Sequence, residues 1–244
     1  MANGFDPRVT AASGPTTVGR EGVAFDAGLR SYMLSVYNYM TSGVLLTGIV
    51  ALLFANSGYA ATILGGPGIL KYVIMFAPLA FVMVLSFGIT RLSTRTAQLL
   101  FWAFAIVMGL SMSTVFLVYT GGSIAATFFA TAGAFAGLSL FGYTTKKDLS
   151  GLGTFLIMGV VGLLVAMIIN LFVQSTAMQL AISFIGVLLF AGLTAYDTQR
   201  IKSLYFHVAG TDMMGKTVIM GALNLYLDFV NMFTFLLNFM GSRE

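Results

Sequence analysis

The sequence predicts an all-α membrane protein that crosses the bilayer seven times. Of its 244 residues, 58% are hydrophobic and only 8% are charged, whereas about a quarter of the residues in a soluble domain are charged. Apolar segments, each roughly the 20 residues that a helix needs to cross a bilayer, occupy most of the chain. The alternating polarity of a transmembrane β-barrel is missing from these segments, so the predicted spans are helical.

The predicted elements follow one another with short connections. Residues 1–29 are polar, lack the apolar core and cleavage site of a signal peptide, and are predicted to form a flexible cytoplasmic tail. Residues 30–244 form the seven-helix transmembrane domain. Turn-rich segments at residues 65–68 and 120–122 separate successive spans and favour antiparallel helical hairpins. The predicted spans are 33–55, 72–90, 97–119, 123–143, 152–173, 178–196 and 217–240.

The positive charges predict the orientation of the chain in the membrane. With the N-terminus in the cytoplasm, ten of the 12 Lys and Arg side chains lie on the inner side, and only Lys71 and Arg243 lie outside. The C-terminus is therefore expected outside. Because the basic residues are scattered between apolar runs, the net charge of +4 indicates membrane orientation and not nucleic-acid binding. The expected partner is the lipid bilayer.

Composition also excludes several kinds of chemical site. The chain has no cysteine, which rules out thiol nucleophiles and thiolate metal sites. Its single histidine, His207, rules out a zinc site built from several histidines. We expect no resident cofactor and no enzymatic activity. The small-residue pair Gly133 and Gly137 in the fourth span is typical of close helix packing.

Asp228 is the charged residue that lies deepest in a predicted span. It follows Lys216 by 12 residues and precedes Arg243 by 15, which places it roughly 18–22 Å from either flank at a rise of about 1.5 Å per residue. A carboxylate at that depth costs roughly 2.5–3.5 kcal/mol and is retained mainly where it has a use. Asn224 and Asn231 share its helix face. This polar stripe is either an interhelical hydrogen-bond seam or part of an ion or proton path.

A second carboxylate, Asp197, directly follows the sixth predicted span. It lies three residues before Arg200 and could pair at the surface with Arg200 or Lys202. The sixth and second spans both end on the cytoplasmic side, so Asp197 could instead pair with Arg91. Asp228 lies deeper than Asp197 unless the sixth helix continues beyond Arg200, which the amphipathic run to His207 permits.

Three segments resemble the hallmark segments of the Bax inhibitor family, also called the transmembrane Bax inhibitor motif family. They are KKDLS at residues 146–150, YDTQRIK at 196–202 and LYLDFVN at 225–231. The resemblance covers all seven spans, from about Arg30 to the C-terminus. It implies a bacterial-type member of the family, with the last helix central and a location in the bacterial inner membrane.

The same resemblance implies a calcium leak that is controlled by pH. Its mechanistic residues would be two aspartates, Asp197 and Asp228, and an arginine on the second helix that latches onto one of them, here Arg91. Calcium and protons would be the permeant or regulatory ions, with calcium held transiently by the two carboxylates. Asn224 and Asn231 would extend the polar stripe beside them.

The physical chemistry of such a pair is independent of the family. Two carboxylates that share a poorly solvated site repel each other and titrate as a coupled pair. With one proton shared, the pair can close the cytoplasmic end of the bundle. With both groups ionised, the pair repels itself and attracts a divalent cation, and a salt bridge between Arg91 and Asp197 would favour the closed state.

Two other functions stay open on the sequence. The protein could be a regulatory membrane protein that binds and restrains another membrane protein, and the sequence shows no partner-specific motif for or against this function. An intramembrane aspartyl protease also uses a Tyr-Asp on one helix and an Asp on the next, but the second Asp of those enzymes lies in a Gly-x-Gly-Asp motif. Here the residues before Asp228 are Leu225, Tyr226 and Leu227, so the protease is the weaker alternative.

Overall fold

The structure is a computed structural model that describes residues 17–243, with side chains from residue 27 onward. Residues 1–16 of the predicted tail lie outside the described residues, and the rest of that tail belongs to the first helix. The described helices are α1 (Thr17–Asn56), α2 (Tyr59–Gly65), α3 (Leu70–Gly88), α4 (Thr94–Met112), α5 (Thr114–Val118), α6 (Gly121–Thr144), α7 (Ser150–Val173), α8 (Thr176–Val208) and α9 (Met213–Met240).

Seven segments of the described chain are long and apolar enough to cross a membrane, as predicted. The third span combines α4 and α5, and the short α2 lies in the connection between the first and second spans. The spans are Ala27–Asn56, Leu70–Gly88, Thr94–Val118, Gly121–Thr144, Ser150–Val173, Thr176–Val208 and Met213–Met240. The prediction of an all-α multi-pass membrane protein is confirmed.

The sixth span is where the predicted and observed ends differ most. Its predicted end is residue 196, but α8 continues to Val208. The polar residues after Tyr196 lower the hydropathy without breaking the helix, because the chain has no Gly or Pro between Leu193 and Ala209. The helix ends just before Gly210, whose φ of 75° is a left-handed conformation that favours glycine.

The last helix, α9, lies at the centre of the bundle. In its most apolar stretch 72% of the residues are buried, compared with 17–33% in the other spans. Helices α8, α1, α6 and α4 pack around it. Tyr226 is fully buried, and the rings of Phe101 and Phe104 meet it edge-on with centroids 6.3 and 5.0 Å away. The prediction that the last helix is central is confirmed.

Glycine allows close helix contacts at positions other than the predicted pair. A Cβ at Gly133 or Gly137 would meet no atom within 4 Å, so these residues do not mediate the packing expected of them. Gly142 of α6 instead lies against the backbone of Ala195 on α8, where a Cβ would overlap the carbonyl group. The spacing of small residues in the sequence shows that a helix could pack closely on one side. Which side faces a neighbouring helix depends on tertiary packing.

Two parts of the bundle are loosely packed. Helix α3 packs mainly against α4 and buries only Ile74, Pro78 and Leu85. Helices α1 and α6 both pack against α9 but hardly touch each other. The bundle is therefore tightest around α8 and α9 and most open at α3 and between α1 and α6.

Candidate functional site

The two aspartates singled out by the sequence meet in the structure. The carboxyl groups of Asp197 on α8 and Asp228 on α9 are close enough to interact directly with each other. Asp228 is only 4% exposed and Asp197 is half-buried. An ionised carboxylate is only an acceptor, so a hydrogen bond between these two groups requires that the pair holds a proton.

One oxygen of the pair lacks a partner within the described chain. Oδ2 of Asp228 is buried and accepts no hydrogen bond from any described residue. A buried carboxylate oxygen without a donor is costly, by about 1–3 kcal/mol or more for a charged group. The pair is therefore suited to bind a proton or a cation, either of which would satisfy this oxygen.

Contacts along α8 and α9 hold the two carboxyls at the same depth. On the side of Arg200, Ile201 packs against Gly221, where the absence of a side chain lets the helices approach. On the other side, the rings of Phe190 and Phe235 stack with centroids 5.8 Å apart and an interplanar angle of 22°. Because α8 continues to Val208, Asp197 lies well inside the helix and can face Asp228.

The predicted arginine latch is not formed in this structure. Arg91 lies exposed in the turn between α3 and α4, and no ion pair joins it to Asp197 among residues 27–243. The reason is local, because α3 ends at Gly88 and the chain turns before Arg91. Arg200, three residues along the same helix, is the cation whose charge acts on Asp197. The local surface pairing that the sequence left open is not formed as an ion pair among residues 27–243 either, because Asp197 is half-buried beside Asp228 and Arg200 acts on it only through its charge.

The predicted polar stripe on α9 is satisfied mostly within its own helix. Asn231 donates through Nδ2 to the carbonyl of Leu227 at 2.8 Å. Asn224 is half-buried, and Asn238, further along the helix, accepts a 2.8 Å hydrogen bond from the hydroxyl of Tyr119. Two of these amides therefore have partners away from the aspartate pair.

Hydroxyl groups form the interhelical seams that the sequence did not identify. Thr47 of α1 donates to the carbonyl of Ala105 on α4 at 2.8 Å and lies 2.7 Å from the hydroxyl of Tyr226 on α9. A second chain runs from Tyr37 through Ser139 to Thr198, with oxygen separations of 2.6 and 2.9 Å. Ser and Thr are common in transmembrane helices, so only the three-dimensional contacts distinguish these residues from others.

The segments around Lys147 and Asp197 are joined by hydrogen bonds. Gln199 donates to the carbonyl of Lys147 at 2.8 Å and accepts from the backbone N–H of Leu149 at 2.9 Å. In the same connection, hydrogen bonds from Ser150 hold the pKa of Asp148 below its usual value. The connection between α6 and α7 is thereby fixed beside the turn of α8 that carries Asp197.

The site offers few ligands for a permanently bound metal. In the described part of the chain, no group of three or more His, Asp or Glu side chains could hold a metal ion. Calcium takes 6–8 oxygen ligands, so two carboxyl groups would have to be supplemented by carbonyl or water oxygens. Two carboxyl groups alone are therefore too few ligands to hold a resident calcium ion.

Comparison with known proteins gives the family. A family model described as inhibitor of apoptosis-promoting Bax1 matches residues 29–244. The inner membrane protein YbhL of Escherichia coli is 44% identical over 220 residues, which cover 89% of this chain and 94% of the relative. A Caulobacter vibrioides protein is 46% identical over 236 residues, 92% and 94% of the two chains. A membrane protein of Streptococcus pyogenes is 34% identical over 221 residues, 90% and 96% of the two chains. With its seven apolar spans and its central last helix, the chain belongs to the Bax inhibitor family of multi-pass membrane proteins.

Proposed function

We propose that this protein is a pH-sensitive cation leak that passes calcium, gated by the pair Asp197 and Asp228, and that it is not an enzyme. The observation that supports this function best is the contact between the two carboxyl groups. It joins the central helix α9 to α8 at a buried position. The proposed location is a bacterial inner membrane, with the N-terminus in the cytoplasm.

The proton on the pair is the proposed switch. While one proton is shared, the hydrogen bond holds α8 against α9 and the path is closed. When the proton is lost, two unit charges about 4 Å apart repel by about 4 kcal/mol at an effective dielectric constant of about 20. That energy corresponds to roughly a thousandfold change in an equilibrium between closed and open states. The ionised pair then attracts a divalent cation.

In this proposal, Arg91 pairs with Asp197 only in a second conformation of the protein. Helix α3 is held mainly by α4, so it can shift with little loss of contact to the rest of the bundle. We propose that such a shift brings Arg91 to Asp197 and stabilises a closed state further. In the present arrangement, Arg200 supplies the positive charge near Asp197.

One observation favours a second candidate, the aspartyl protease. Two hydrogen-bonded carboxyls inside a membrane are also what such an enzyme uses to activate water. However, Asp228 is only 4% exposed, and the two large cavities described below are lined by other residues. A substrate therefore does not reach the Asp228 carboxyl directly in this state. Cleavage of a transmembrane peptide that a transition-state analogue inhibits would support the protease instead.

Calcium flux into proteoliposomes between about pH 5 and pH 8 tests the gate. We expect the flux of the unchanged protein to rise with pH, because the ionised pair repels itself. In Asp197→Asn or Asp228→Asn only one carboxyl remains, so its ionisation meets no like charge, and the dependence on pH should disappear. Asp148→Asn is the matched control, since Asp148 is an exposed carboxylate in the nearby connection, and it should keep the normal profile.

Either of two results would contradict this function. Flux that keeps its full pH dependence in both aspartate variants would exclude the pair as the sensor. An unchanged protein that passes no calcium at any pH, while remaining folded, would favour the regulatory function, in which the protein restrains another membrane protein. Recovery of one specific partner from native membranes would then identify that role.

A further inference from the structure

A groove runs along the bundle between α1 and α6, with α9 as its floor. A cavity of about 810 Å³ fills the first part of the groove, between side chains such as Met33, Phe135 and Leu140. A second cavity of about 410 Å³ continues it, and Phe128 and Phe229 line both. The first volume lies in the range of roughly 300–1,000 Å³ that is usual for sites of small molecules.

The charge in this groove is positive and confined to one end. Arg30 is exposed at the mouth of the first cavity, where Tyr37 and Tyr143 also line it. The Nζ atom of Lys202 lies 4.7 Å from the centroid of the Tyr143 ring and donates to the carbonyl of that residue at 2.8 Å. No carboxylate is among the described residues that line the two cavities. The mouth is therefore complementary to an anion.

The length of the first cavity matches one leaflet of a bilayer. Its lining on α1 extends from Arg30 to Leu45, which are 15 positions apart, or about 22 Å at about 1.5 Å per residue. Half of a bilayer, with its polar headgroup region, is about 20–22 Å thick. With Arg30 at the level of the headgroups, the far end of the cavity lies near the bilayer midplane.

The groove is open to the lipid that surrounds the bundle, which favours a lipid tail as its occupant. Leu34, Leu45 and Leu140 line the first cavity and are 50%, 55% and 63% exposed. A flexible hydrocarbon tail can fill a narrow gap between two helices. Acyl chains are also the solvent that surrounds these spans.

We propose that the groove between α1 and α6 binds one anionic phospholipid. Its phosphate pairs with Arg30 at the mouth, and one tail lies along α1 and α6 against Phe229. Because Phe229 follows Asp228 on α9, the bound tail contacts the central helix next to the aspartate pair. The site does not depend on the proposed ion leak, and its test measures binding and not flux.

Fluorescence quenching by brominated lipids tests this site. The native Trp102 is the single tryptophan of the chain, so Trp102→Phe provides a silent background. Leu140→Trp places a reporter in the groove, four residues from the end of α6. Phe155→Trp places the matched control on the exposed face of α7, five residues from the start of that helix and therefore at similar depth. The variants are reconstituted in phosphatidylcholine vesicles containing phosphatidylglycerol, with one lipid or the other brominated.

We expect the reporter in the groove to be quenched preferentially by brominated phosphatidylglycerol. The preference over phosphatidylcholine should be about fivefold, the factor that corresponds to one basic side chain near an anionic lipid. The reporter at position 155 should show no preference. Adding Arg30→Gln should abolish the preference at position 140, whereas Arg95→Gln, an exposed basic residue that does not line the groove, should preserve it.

Three outcomes would overturn the proposal. The two reporters could show the same lipid preference, which would make the groove ordinary lipid-facing surface. The preference could survive Arg30→Gln, which would remove the assigned phosphate contact. The reporter in the groove could be quenched by neither lipid, which would mean that a protein segment or a second copy fills it. If Leu140→Trp fails to fold, Leu34→Trp on the opposite wall gives the same readout.

Discussion

Individual polar side chains inside this bundle differ in how their hydrogen bonds are satisfied. Thr47 contacts α4 and α9 at once, through the carbonyl of Ala105 and the hydroxyl of Tyr226. Asp228, by contrast, keeps one buried oxygen without a partner among the described residues. A fully paired group contributes to stability, whereas an unpaired carboxyl oxygen is available for a proton or a cation. Thr47 is therefore assigned to structure, and Asp228 is the group on which the proposed function relies.

Removing the Thr47 hydroxyl should destabilise the bundle without changing its pH response. Thr47→Val keeps the shape of the side chain but leaves the buried hydroxyl of Tyr226 without this partner, at a cost of about 1–2 kcal/mol. The midpoint of thermal unfolding in detergent should fall by a few degrees. Thr41→Val is the control, because Thr41 is exposed and makes no hydrogen bond to another helix within the described part of the chain. Equal midpoints for the two variants would contradict the structural role of Thr47.

Among the elements, α8 and α9 form the contact on which the proposed gate depends. Close approach at Gly221 and ring stacking at Phe235 fix the two helices on either side of the aspartate pair. Helix α3 makes far fewer contacts with the rest of the bundle. An opening motion in response to charge repulsion must therefore separate α8 from α9 locally, and a shift of α3 is an easier accompanying change.

A covalent bond between α8 and α9 should hold the proposed gate closed. A Cβ at Gly221 would lie 3.2 Å from Cγ2 of Ile201, close enough for the pair Ile201→Cys and Gly221→Cys to form a disulfide. Because the native chain has no cysteine, this is the only disulfide that can form within the chain. We expect oxidation to suppress calcium flux at high pH and a reductant to restore it. Each single variant serves as a control, and full flux in the oxidised double variant would show that α8 and α9 need not separate.

At the scale of the whole molecule, the proposed sensor and the proposed lipid site lie on the same side of the bundle, the side that Lys and Arg predict to be cytoplasmic. The cytoplasmic side predicted from Lys and Arg carries the connection between α6 and α7 and the hydrogen bonds of Gln199. It also carries the cationic mouth of the groove at Arg30. The proposed sensor and the proposed lipid site thus open toward the same leaflet.

The orientation can be measured because the chain lacks cysteine. Ser57→Cys lies in the exposed turn after α1, and Thr145→Cys lies in the connection after α6. With the N-terminus in the cytoplasm, a membrane-impermeant maleimide should label intact cells at position 57 but not at position 145. After permeabilisation both should react. Labelling of position 145 alone in intact cells would reverse the orientation.

Hydropathy was sufficient to predict the spans, but not every helix end. The positions of the spans follow from the free-energy cost of placing polar groups in hydrocarbon. That cost depends on the composition of each segment by itself. The end of α8 was predicted 12 residues too early, at residue 196 and not at Val208. The helix continues beyond the apolar layer, so its apolar segment ends before its backbone hydrogen bonds do. The contact of Asp197 with Asp228 depends on those extra turns.

The position of Arg91 shows that the sequence does not predict contacts between segments. Its placement at the end of the second span follows from the sequence, but whether it reaches Asp197 depends on where α3 ends and which way the chain turns. The groove between α1 and α6 is also invisible in the sequence, because it results from two helices that share α9 as a neighbour without packing together. Neither feature is a property of a single segment.

The sequence by itself determined the seven apolar helices, the family and the burial of Asp228. Each of these follows from local composition, or from the order of residues within one segment. The tertiary structure alone decided that Asp197 faces Asp228, that Arg91 lies apart from both, and that a cationic groove opens beside Phe229. These relations join residues far apart in the chain, and they depend on how helices cross and pack, which no local pattern specifies.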